Sequence, residues 1–465
     1  MMRIKISILF FTLLGVMSSH AQEKKWTLRE CVEYALENNI TIKQSALNLE
    51  ASEIDRIDAI GNFLPSLNAQ AGNSWNSGLV NDPRTGTNID QTIRSSSYGG
   101  SIGVDIFRGL SNWKRLQRAK INMLLNQYNL GKSKDDIALF VANSYLQVLL
   151  NKESLKVIEK QHEITLEQLK RTKDLVDAGV LPQGDLLEIE ATSADELTRI
   201  VQAENAVLIA RVGLAQTLLI KEYESFDIAE QDYLIPSADV LDNSIETIRS
   251  RSREARYEVQ IAEQNKLLAE KDVEIARAAY YPTLTASFGA STFETGADQV
   301  ARNASGDVII DVLGNPVFTG PDPIFDQFSE NRSFNYGFSL SVPIFNGFAT
   351  RNQVKRSKIN VKRNAFQLEQ AELDLDSNVY QAYLDAKGSA EAYEASEVAV
   401  KAQERAYEYA KDRYDVGLTN AFDFSQSKFR LENAQSNAVQ AKFDYIFKIK
   451  VLELYFGIKI ADIKL

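Results

Sequence analysis

The chain has 465 residues, and its 63 acidic against 52 basic side chains give a net charge of −11 at pH 7. An acidic chain repels nucleic acid, so we predict no nucleic-acid partner. With only two histidines and one cysteine, Cys31, the chain lacks the ligands for a metal cluster and a persuasive nucleophile–base pair, so we expect neither an enzyme nor a bound cofactor or metal.

The first 21 residues have the features of a secretory signal peptide. A basic start is followed by an apolar run over 6–17, and Ser19 and Ala21 supply the small residues of a cleavage site. No later apolar run reaches the length of a membrane-spanning helix. The sequence therefore predicts export, either to the periplasm or to an outer membrane crossed by strands.

Each half of the remaining chain begins with a helical run that ends at a proline. The stretch "TLRE", starting at Thr27, fits a capping box, and we expect its helix to continue until Pro65. A second run starts at Ser244 and ends at Pro282, which lies 217 positions after Pro65. The spacing indicates an internal repeat.

Segments with the periodicity of β-strands follow each proline. Residues 334–344 read "FNYGFSLSVPI", in which apolar side chains alternate with Asn, Gly and Ser, and the segments 67–72, 98–106 and 284–290 alternate as well. This is the pattern of membrane strands with one lipid face and one wet face. Between the strands of the second half we expect a loop that is 21 residues longer, because the repeat offset rises there from 217 to 238. If the strands cross an outer membrane, we expect this loop to lie at the cell exterior.

Two long helical runs come next. Residues 113–176 and 351–416 contain no proline and one glycine each, and His162, inside the first run, is expected to be packed or solvated. Helices of this length extend for about 95 Å, which favours coiled-coil packing. After a short break each run is followed by a second helix, over 185–219 and 423–456.

The two breaks share a pattern, "DLVDAGVLPQGDLL" and "RYDVGLTNAFDF", in register at an offset of 238. Gly179 and Gly417 are expected to end the long helices in the left-handed conformation. Asp185 and Asp423 begin Asp-x-x-Glu and Asp-x-x-Gln sequences, so we predict that both are N-caps of the returning helices.

The predicted elements organise the chain into a signal peptide, 1–21, a first repeat, 22–237, and a second repeat, 238–465. The fold class is α+β and mostly α. Four strands cannot close a barrel, and an open sheet edge cannot face lipid, so strands in a membrane require several chains to share one barrel. Two soluble hairpins per chain are the alternative.

In their order and doubling, these features resemble the TolC-type outer-membrane efflux protein family over nearly the whole mature chain. The resemblance is carried by "VDIFRG" at 104–109, "VPIFNG" at 342–347 and the two glycine-bearing breaks. It implies a homotrimer in which each chain contributes four strands to a shared 12-stranded β-barrel in the outer-membrane lipid. The long coiled-coil helices would form a periplasmic α-barrel.

The resemblance also implies the function of an exit channel in a tripartite efflux system. Small molecules or drugs would reach it from an inner-membrane transporter through a periplasmic adaptor. Two alternatives stay open, namely the outer-membrane channel of a type I protein secretion system and a soluble periplasmic coiled-coil tether without a pore.

In the family, the two breaks are the tips of helical hairpins at the periplasmic mouth. Gly179 and Gly417 match the tip glycines, and Val180 and Leu418 stand beside them. The resemblance implies that adaptor hairpins dock on these four residues.

A periplasmic gate is implied as well. Asp185 and Asp423 match positions where acidic side chains narrow the closed mouth and favour cations, and Tyr414 matches a tyrosine that hydrogen-bonds across chains to the position of Asp185. Thr419 stands where the family pattern has an arginine, and Gln426 where it has a second lumen aspartate. We therefore expect fewer ionic ties in the closed mouth.

Basic side chains cluster at the start of both long helices: Lys114, Arg115, Arg118 and Lys120 in the first, and Arg351, Lys355, Arg356 and Lys358 in the second. Positive charge at a helix N-terminus opposes the macrodipole and calls for compensation. Inner-leaflet phosphates and neighbouring acidic side chains are the two candidates.

Overall fold

The computed structural model describes residues 25–81, 88–230, 240–296, 298–314 and 316–458. The predicted signal peptide and the predicted boundary between the repeats at 237 lie outside these ranges and stay predictions. None of the helices in the described ranges combines the length and the apolar character that a membrane-spanning helix needs.

Corresponding helices of the two halves have the same lengths. The short lead-in helices are α1 (Leu28–Asn38) and α2 (Ile40–Gly61) in the first half and α5 (Ile245–Ala255) and α6 (Tyr257–Ala278) in the second. The long helices, of 67 residues each, are α3 (Ser111–Asp177) and α8 (Ala349–Asp415), and the returning helices, of 35 residues each, are α4 (Gln183–Thr217) and α9 (Ala421–Tyr455). The offsets of 217 and 238 read from the sequence therefore hold for whole helices.

The lead-in helices depart from the prediction of one unbroken run. The capping box at Thr27 is present. However, extended backbone at Asn39 separates α1 from α2, and extended backbone at Arg256 separates α5 from α6. Asn39 starts a new helix because its side-chain oxygen accepts the Thr41 N–H at 2.8 Å, as an N-cap does.

The four long strands form one antiparallel sheet in the order β2 (Ser66–Asn81), β3 (Asn88–Arg108), β5 (Thr283–Thr295) and β8 (Ser333–Ser341). The register places Leu67, Ile102, Phe288 and Tyr336 in one row across all four strands. Where all four strands pair, one face of the sheet is thus apolar, as the alternation predicts, whereas farther along β3 and β5 the same face carries Arg94, Ser96 and Glu294. In the described part of the chain, β2 and β8 each pair along one edge only.

Strand β8 is shorter than predicted. It ends at Ser341, and not at Ile344, because Ser341 pairs with Thr283, where β5 begins. Pro343, which has no N–H to donate, also lies beyond this end.

The insertion before β8 is more ordered than the expected loop. It contains a short hairpin, β6 (Gln299–Val300) with β7 (Phe318–Thr319), and the helix α7 (Ile324–Glu330). Gln327, on α7, accepts the Thr295 N–H at 2.9 Å and donates to the Thr295 carbonyl at 3.0 Å. Its amide therefore takes the place of a strand partner on the part of β5 that extends past β8.

Two compact units divide the chain, and each contains parts of both repeats. Among the described residues, the first unit comprises those within 1–49, 125–263 and 367–465, and the second comprises those within 50–124 and 264–366. Apolar clusters around Tyr145 and around Val379 form the interior of the first unit. The second unit contains the sheet and the helix segments that adjoin it.

A two-stranded parallel sheet, β1 (Lys25–Trp26) with β4 (Asp227–Ile228), lies in the first unit. Lys152 lies 2.7 Å from an Asp227 carboxylate oxygen, and Lys152 and Lys156 both reach Glu230, at 3.0 and 2.9 Å. These ion pairs attach the chain after α4 to the side of α3.

Candidate functional site

Both long helices end in the same C-terminal motif. Gly179 and Gly417 adopt left-handed backbone with φ of 74° and 73°. The residue after each glycine donates its backbone N–H to the carbonyl five positions earlier, at 2.9 Å for Val180 and 2.8 Å for Leu418. These are Schellman motifs, which explains the glycines by backbone geometry.

The residues beside the glycines are apolar and face solvent in the isolated chain. Val180 is 65% exposed, and Val416 and Leu418 are each 69% exposed. A Cβ added at Gly179 or Gly417 would meet nothing within 4 Å. The tips therefore present a small apolar surface without a partner inside the described chain.

The N-cap positions of the returning helices lie three residues earlier than predicted, so the prediction that Asp185 and Asp423 are N-caps was wrong. Pro182 precedes α4 without a side-chain cap, and Asn420 caps α9 by accepting the Asp423 N–H at 2.8 Å. Both aspartates lie in the first helical turn, where the macrodipole favours a carboxylate. Asp423 also accepts the Thr419 hydroxyl at 3.1 Å.

Tyr414 is 1% exposed, and its ring stacks on Phe424 with 5.1 Å between centroids. Its hydroxyl lies 3.0 Å from the Thr172 hydroxyl of the same chain. Burial raises the pKa of Tyr414, and the negative charges of Asp185 and Asp415 raise it as well. The hydrogen bond with Thr172 lowers this pKa. The structure thus brings Tyr414 and Asp185 into one electrostatic neighbourhood, whereas their hydrogen bond across chains stays a prediction.

An ion pair close to the tips was not predicted from the sequence. Arg171 on α3 lies 3.1 Å from the Asp415 carboxylate on α8, so it joins the ends of the two long helices. The two residues lie far apart along the chain, and although Asp415 belongs to the repeated break, Arg171 stands in no recognisable motif. The Arg171–Asp415 ion pair therefore links two helices of one chain close to the tip at Gly417. Near this tip, Thr419 stands at the position where the family pattern has an arginine.

Further along α3, α4 and α9, four polar side chains form a buried cluster. Glu196 accepts hydrogen bonds from Lys428 at 2.5 Å and from Thr165 at 2.9 Å, and its second oxygen lies 3.1 Å from His162 Nδ1. Lys428 also contacts the Thr165 hydroxyl. Burial lowers the pKa of Lys428, although Glu196 acts against this shift. His162 is thus packed and not solvated, which is one of the two alternatives that the sequence analysis expects.

Sequence spacing could have found this cluster. Buried residues on α4 recur at Leu186, Ile189, Ser193 and Glu196, and those on α9 at Ala421, Phe424, Lys428 and Leu431. Intervals of three and four residues mark the core positions of a coiled coil. A glutamate and a lysine at such positions indicate a buried polar pair that fixes the helix register.

A groove of about 350 Å³ lies between α4 and α9 beside this cluster. At its wall the buried Glu432 carboxylate contacts both terminal nitrogens of Arg199. Glu188, Asp195, Phe422, Gln426 and Phe429 complete much of the lining. Gln426, which stands where the family has a lumen aspartate, is thus a groove residue within one chain.

The buried carboxylates of this region are paired, Glu196 with Lys428 and Glu432 with Arg199. Among the described residues, no group of His, Cys, Asp and Glu is arranged to hold a metal ion. The arrangement consists of two exposed apolar tips, first-turn carboxylates beside them and a charge-paired interior.

Comparison with known proteins gives two consistent results. The family model described as "Outer membrane efflux protein" matches residues 31–218 and 248–455. The chain is 22% identical to the outer membrane protein TolC of Vibrio cholerae over 450 residues, which cover 96% of this chain and 93% of that protein. It is 21% identical to the pyoverdine export outer membrane protein OpmQ of Pseudomonas aeruginosa over 420 residues, which cover 89% and 81%.

The fold is also found among solved structures. The Campylobacter jejuni CmeC outer membrane channel superposes with a TM-score of 0.77 at 17% identity, covering 92% of this chain and 85% of that one. At this level of identity the likeness establishes the fold alone.

Proposed function

The chain belongs to the outer membrane efflux protein family, and on this premise we propose that it forms the exit channel of a tripartite efflux system. It is located in the outer membrane, with its long helices in the periplasm. An inner-membrane transporter and a periplasmic adaptor would deliver the cargo. Transport through such a channel is conduction and not catalysis, so we propose no enzymatic step.

The sheet carries this proposal. One face is apolar where all four strands pair, and the outermost strands, β2 and β8, each have one edge without a partner in the described chain. Hydrocarbon cannot satisfy the backbone groups of an open edge, so the sheet must be completed by other chains. We propose a homotrimer, in which three sheets of four strands close a 12-stranded barrel.

The tips support a role in adaptor docking. Val180 and Leu418 are exposed and apolar, and each follows a left-handed glycine. We propose that adaptor hairpins pack on these two residues and approach the backbone closely at Gly179 and Gly417, where no side chain intervenes.

The carboxylates beside the tips support a periplasmic gate. Asp185 and Asp423 lie in the first turns of their helices, and the Tyr414 hydroxyl is held within the same region. A ring of three copies would place six such carboxylates around the mouth and favour the passage of cations. We propose Asp185, Tyr414 and Asp423 as the gate residues.

For the cargo we propose small organic molecules. The name of OpmQ states that it exports pyoverdine, and this chain aligns with most of its length. A conduit does not bind its cargo in a dedicated pocket, so the transporter that is encoded with this chain would set the substrate.

Two measurements test the proposal together. The mass of the detergent-purified protein should correspond to three chains. Cells that lack the gene should accumulate a dye that its transporter exports, and the intact gene should restore export. A stable monomer, or a trimer whose loss changes no export, would overturn the proposed function.

A further inference from the structure

The insertion before β8 places its short helix, α7, against the apolar face of the sheet. The Phe328 ring of α7 meets the Tyr98 ring of β3 edge to face, with 5.2 Å between centroids. The Thr292 hydroxyl of β5 donates to the Phe328 carbonyl at 3.0 Å. Tyr98 and Thr292 pair four residues beyond the pair of Ile102 and Phe288, so their side chains lie on the same face of the sheet.

From Phe328 the apolar side of α7 continues away from the sheet. The Phe325 ring lies at right angles to the Phe328 ring, with 6.4 Å between centroids, and Phe325 is 85% exposed. A series of three aromatic rings therefore leads from the sheet to the surface of the insertion. Resting on the proposed outer-membrane channel, we propose that α7 anchors the insertion in the outer leaflet, with Phe325 among the lipid acyl chains.

The rest of α7 suits a boundary between lipid and water. Ile324, which is 44% exposed, extends the apolar side formed by Phe325 and Phe328. Asp326 and Glu330 are exposed carboxylates, turned from Phe325 by about 100° and 140° around the helix. A helix with one apolar and one charged side lies in the plane of a membrane interface, because each side then meets the solvent that it prefers.

The position of α7 along β5 matches the outer end of the hydrocarbon layer. A strand crosses this layer with about 9–11 residues. Counted from Thr283, where the chain enters β5 from α6, this length ends between Ser291 and Phe293. Thr292, which donates to α7, lies in that interval, so α7 is level with the outer leaflet.

Past this level the same face of the sheet becomes polar. Glu294, two residues beyond Thr292, accepts hydrogen bonds from Arg94 at 3.0 Å and from Ser96 at 2.6 Å. Membrane barrels carry girdles of aromatic side chains where the apolar band ends. Tyr98 lies at this boundary on the strand, and the rings of α7 extend the boundary onto the insertion.

Hydrogen bonds fix α7 to the edge of β5. Gln327 is 1% exposed, and its amide bonds both backbone groups of Thr295 and donates to the Asp322 carbonyl at 2.9 Å. Asn331, directly after the helix, donates to the Phe293 carbonyl at 2.9 Å. These contacts hold the helix in one orientation, so Phe325 is presented in a defined direction.

The anchor belongs to the second half of the chain. In the first half β2 ends at Asn81 and β3 begins at Asn88, so six residues connect these strands, fewer than the seven of α7 alone. The insertion therefore adds a lipid contact at the outer leaflet to the hydrophobic belt of the sheet. In the proposed homotrimer the contact would occur three times around the barrel.

Site-directed spin labelling tests the anchor. Phe325→Cys in a Cys31→Ala background would be labelled with a nitroxide and reconstituted into vesicles of phosphatidylethanolamine and phosphatidylglycerol. Oxygen concentrates among acyl chains, so it should relax this label more strongly than a water-soluble nickel complex does. The matched control is Asp326→Cys, on the charged side of the same helix, where the nickel complex should be the stronger relaxant.

Each other result at this position contradicts the anchor. A label at Phe325→Cys that the nickel complex reaches as readily as the label at Asp326→Cys would place α7 in water. Weak relaxation by both reagents would mean that protein, such as a neighbouring copy, covers Phe325 in place of lipid.

A label on the sheet separates failure of the anchor from failure of the proposed function. Phe338→Cys, at a residue of the apolar face that is 77% exposed, should be relaxed by oxygen whether or not α7 meets lipid. If Phe338→Cys reports lipid and Phe325→Cys does not, the anchor alone is overturned. If the nickel complex reaches Phe338→Cys, the sheet is not in the membrane, and the proposed channel is overturned as well.

A further substitution tests how the position of Phe325 is fixed. Gln327→Ala removes the amide that bonds α7 to β5, so the label at Phe325→Cys should move faster, give narrower spectral lines and lose oxygen relaxation. Ser329→Ala, at an exposed residue of the same helix, should leave the spectrum unchanged. An unchanged spectrum in Gln327→Ala would overturn the role of Gln327 as the positioning residue.

Discussion

Lys428 Nζ and Glu196 Oε1 lie 2.5 Å apart in the first unit, where both side chains are almost completely buried. The pair joins α4 to α9 at coiled-coil core positions. Because a buried charge needs a partner, each residue depends on the presence of the other. The same two helices begin at the proposed gate, so the pair sets the alignment of the helices that carry Asp185 and Asp423.

We expect Lys428→Met to destabilise the folded protein by about 3–5 kcal/mol, because the buried Glu196 carboxylate would lose its lysine partner. Combining it with Glu196→Gln, which keeps hydrogen-bonding capacity for Thr165, should recover most of this loss. Thermal unfolding of the purified protein measures both effects, with the exposed Lys411→Met as control. An unchanged midpoint for Lys428→Met would show that the pair contributes nothing to stability.

Acid sensitivity should follow from Glu230. Hydrogen bonds from Lys156 and Lys152 lower the pKa of Glu230 to about 2, from an ordinary value of 4.5. A carboxyl group whose pKa is lowered by folding adds stability above its unfolded pKa, and this stability is lost as the pH falls through the folded value. Glu230→Gln should therefore lower the unfolding midpoint at pH 7 and flatten its decline between pH 4.5 and 2.

The matched control for this pH dependence is Glu224→Gln, at an exposed residue of the same segment. It should leave both the midpoint and the acid decline unchanged. If Glu230→Gln behaves like this control, the ion pairs of Glu230 with Lys152 and Lys156 do not form in the protein in solution.

The tyrosine beside the tips should hold the gate through its hydroxyl. Tyr414→Phe removes a hydrogen bond worth about 0.5–1.5 kcal/mol per chain, so single channels should stay open longer. Thr172→Val removes the other partner of the contact within the chain and should have the same effect. If Asp185→Asn reproduces the Tyr414→Phe phenotype and Thr172→Val does not, the bond that closes the gate is the predicted one across chains.

Ion selectivity and helix capping should separate at the start of α9. Asp423→Asn removes three charges from a trimer but leaves the Asn420 cap in place, so cation preference should fall without a change in the unfolding midpoint. Asn420→Ala removes the cap and should cost about 1 kcal/mol while the selectivity stays the same. Reversal potentials under a salt gradient and thermal unfolding measure the two properties, and a loss of selectivity in Asn420→Ala alone would reverse the assignment.

Local patterns predicted the elements of the fold. The alternation around Tyr336 identified a strand, the proline-free runs identified two long helices, and the left-handed glycines at 179 and 417 ended them as expected. The family match confirmed the fold class that the repeats indicated.

Features that depend on competing local choices or on distant partners could not be predicted. Asn420 and Asp423 are both good N-cap residues three positions apart, and the sequence does not decide between them. The break at Arg256 is accompanied by pairing of its guanidinium with Glu258 and with the distant Asp135. The spacing of Lys428 and Glu196 marks both as core positions of their helices, but their contact with each other depends on the packing of α4 against α9.

Current through a planar lipid bilayer tests most directly whether the protein is an exit channel. Purified trimers added to one side should produce discrete steps of current, and the reversal potential should indicate a preference for cations that Asp423→Asn weakens. Protein of trimer mass that inserts into the bilayer but never conducts, even when Tyr414→Phe is introduced to favour opening, would contradict a continuous path through the molecule.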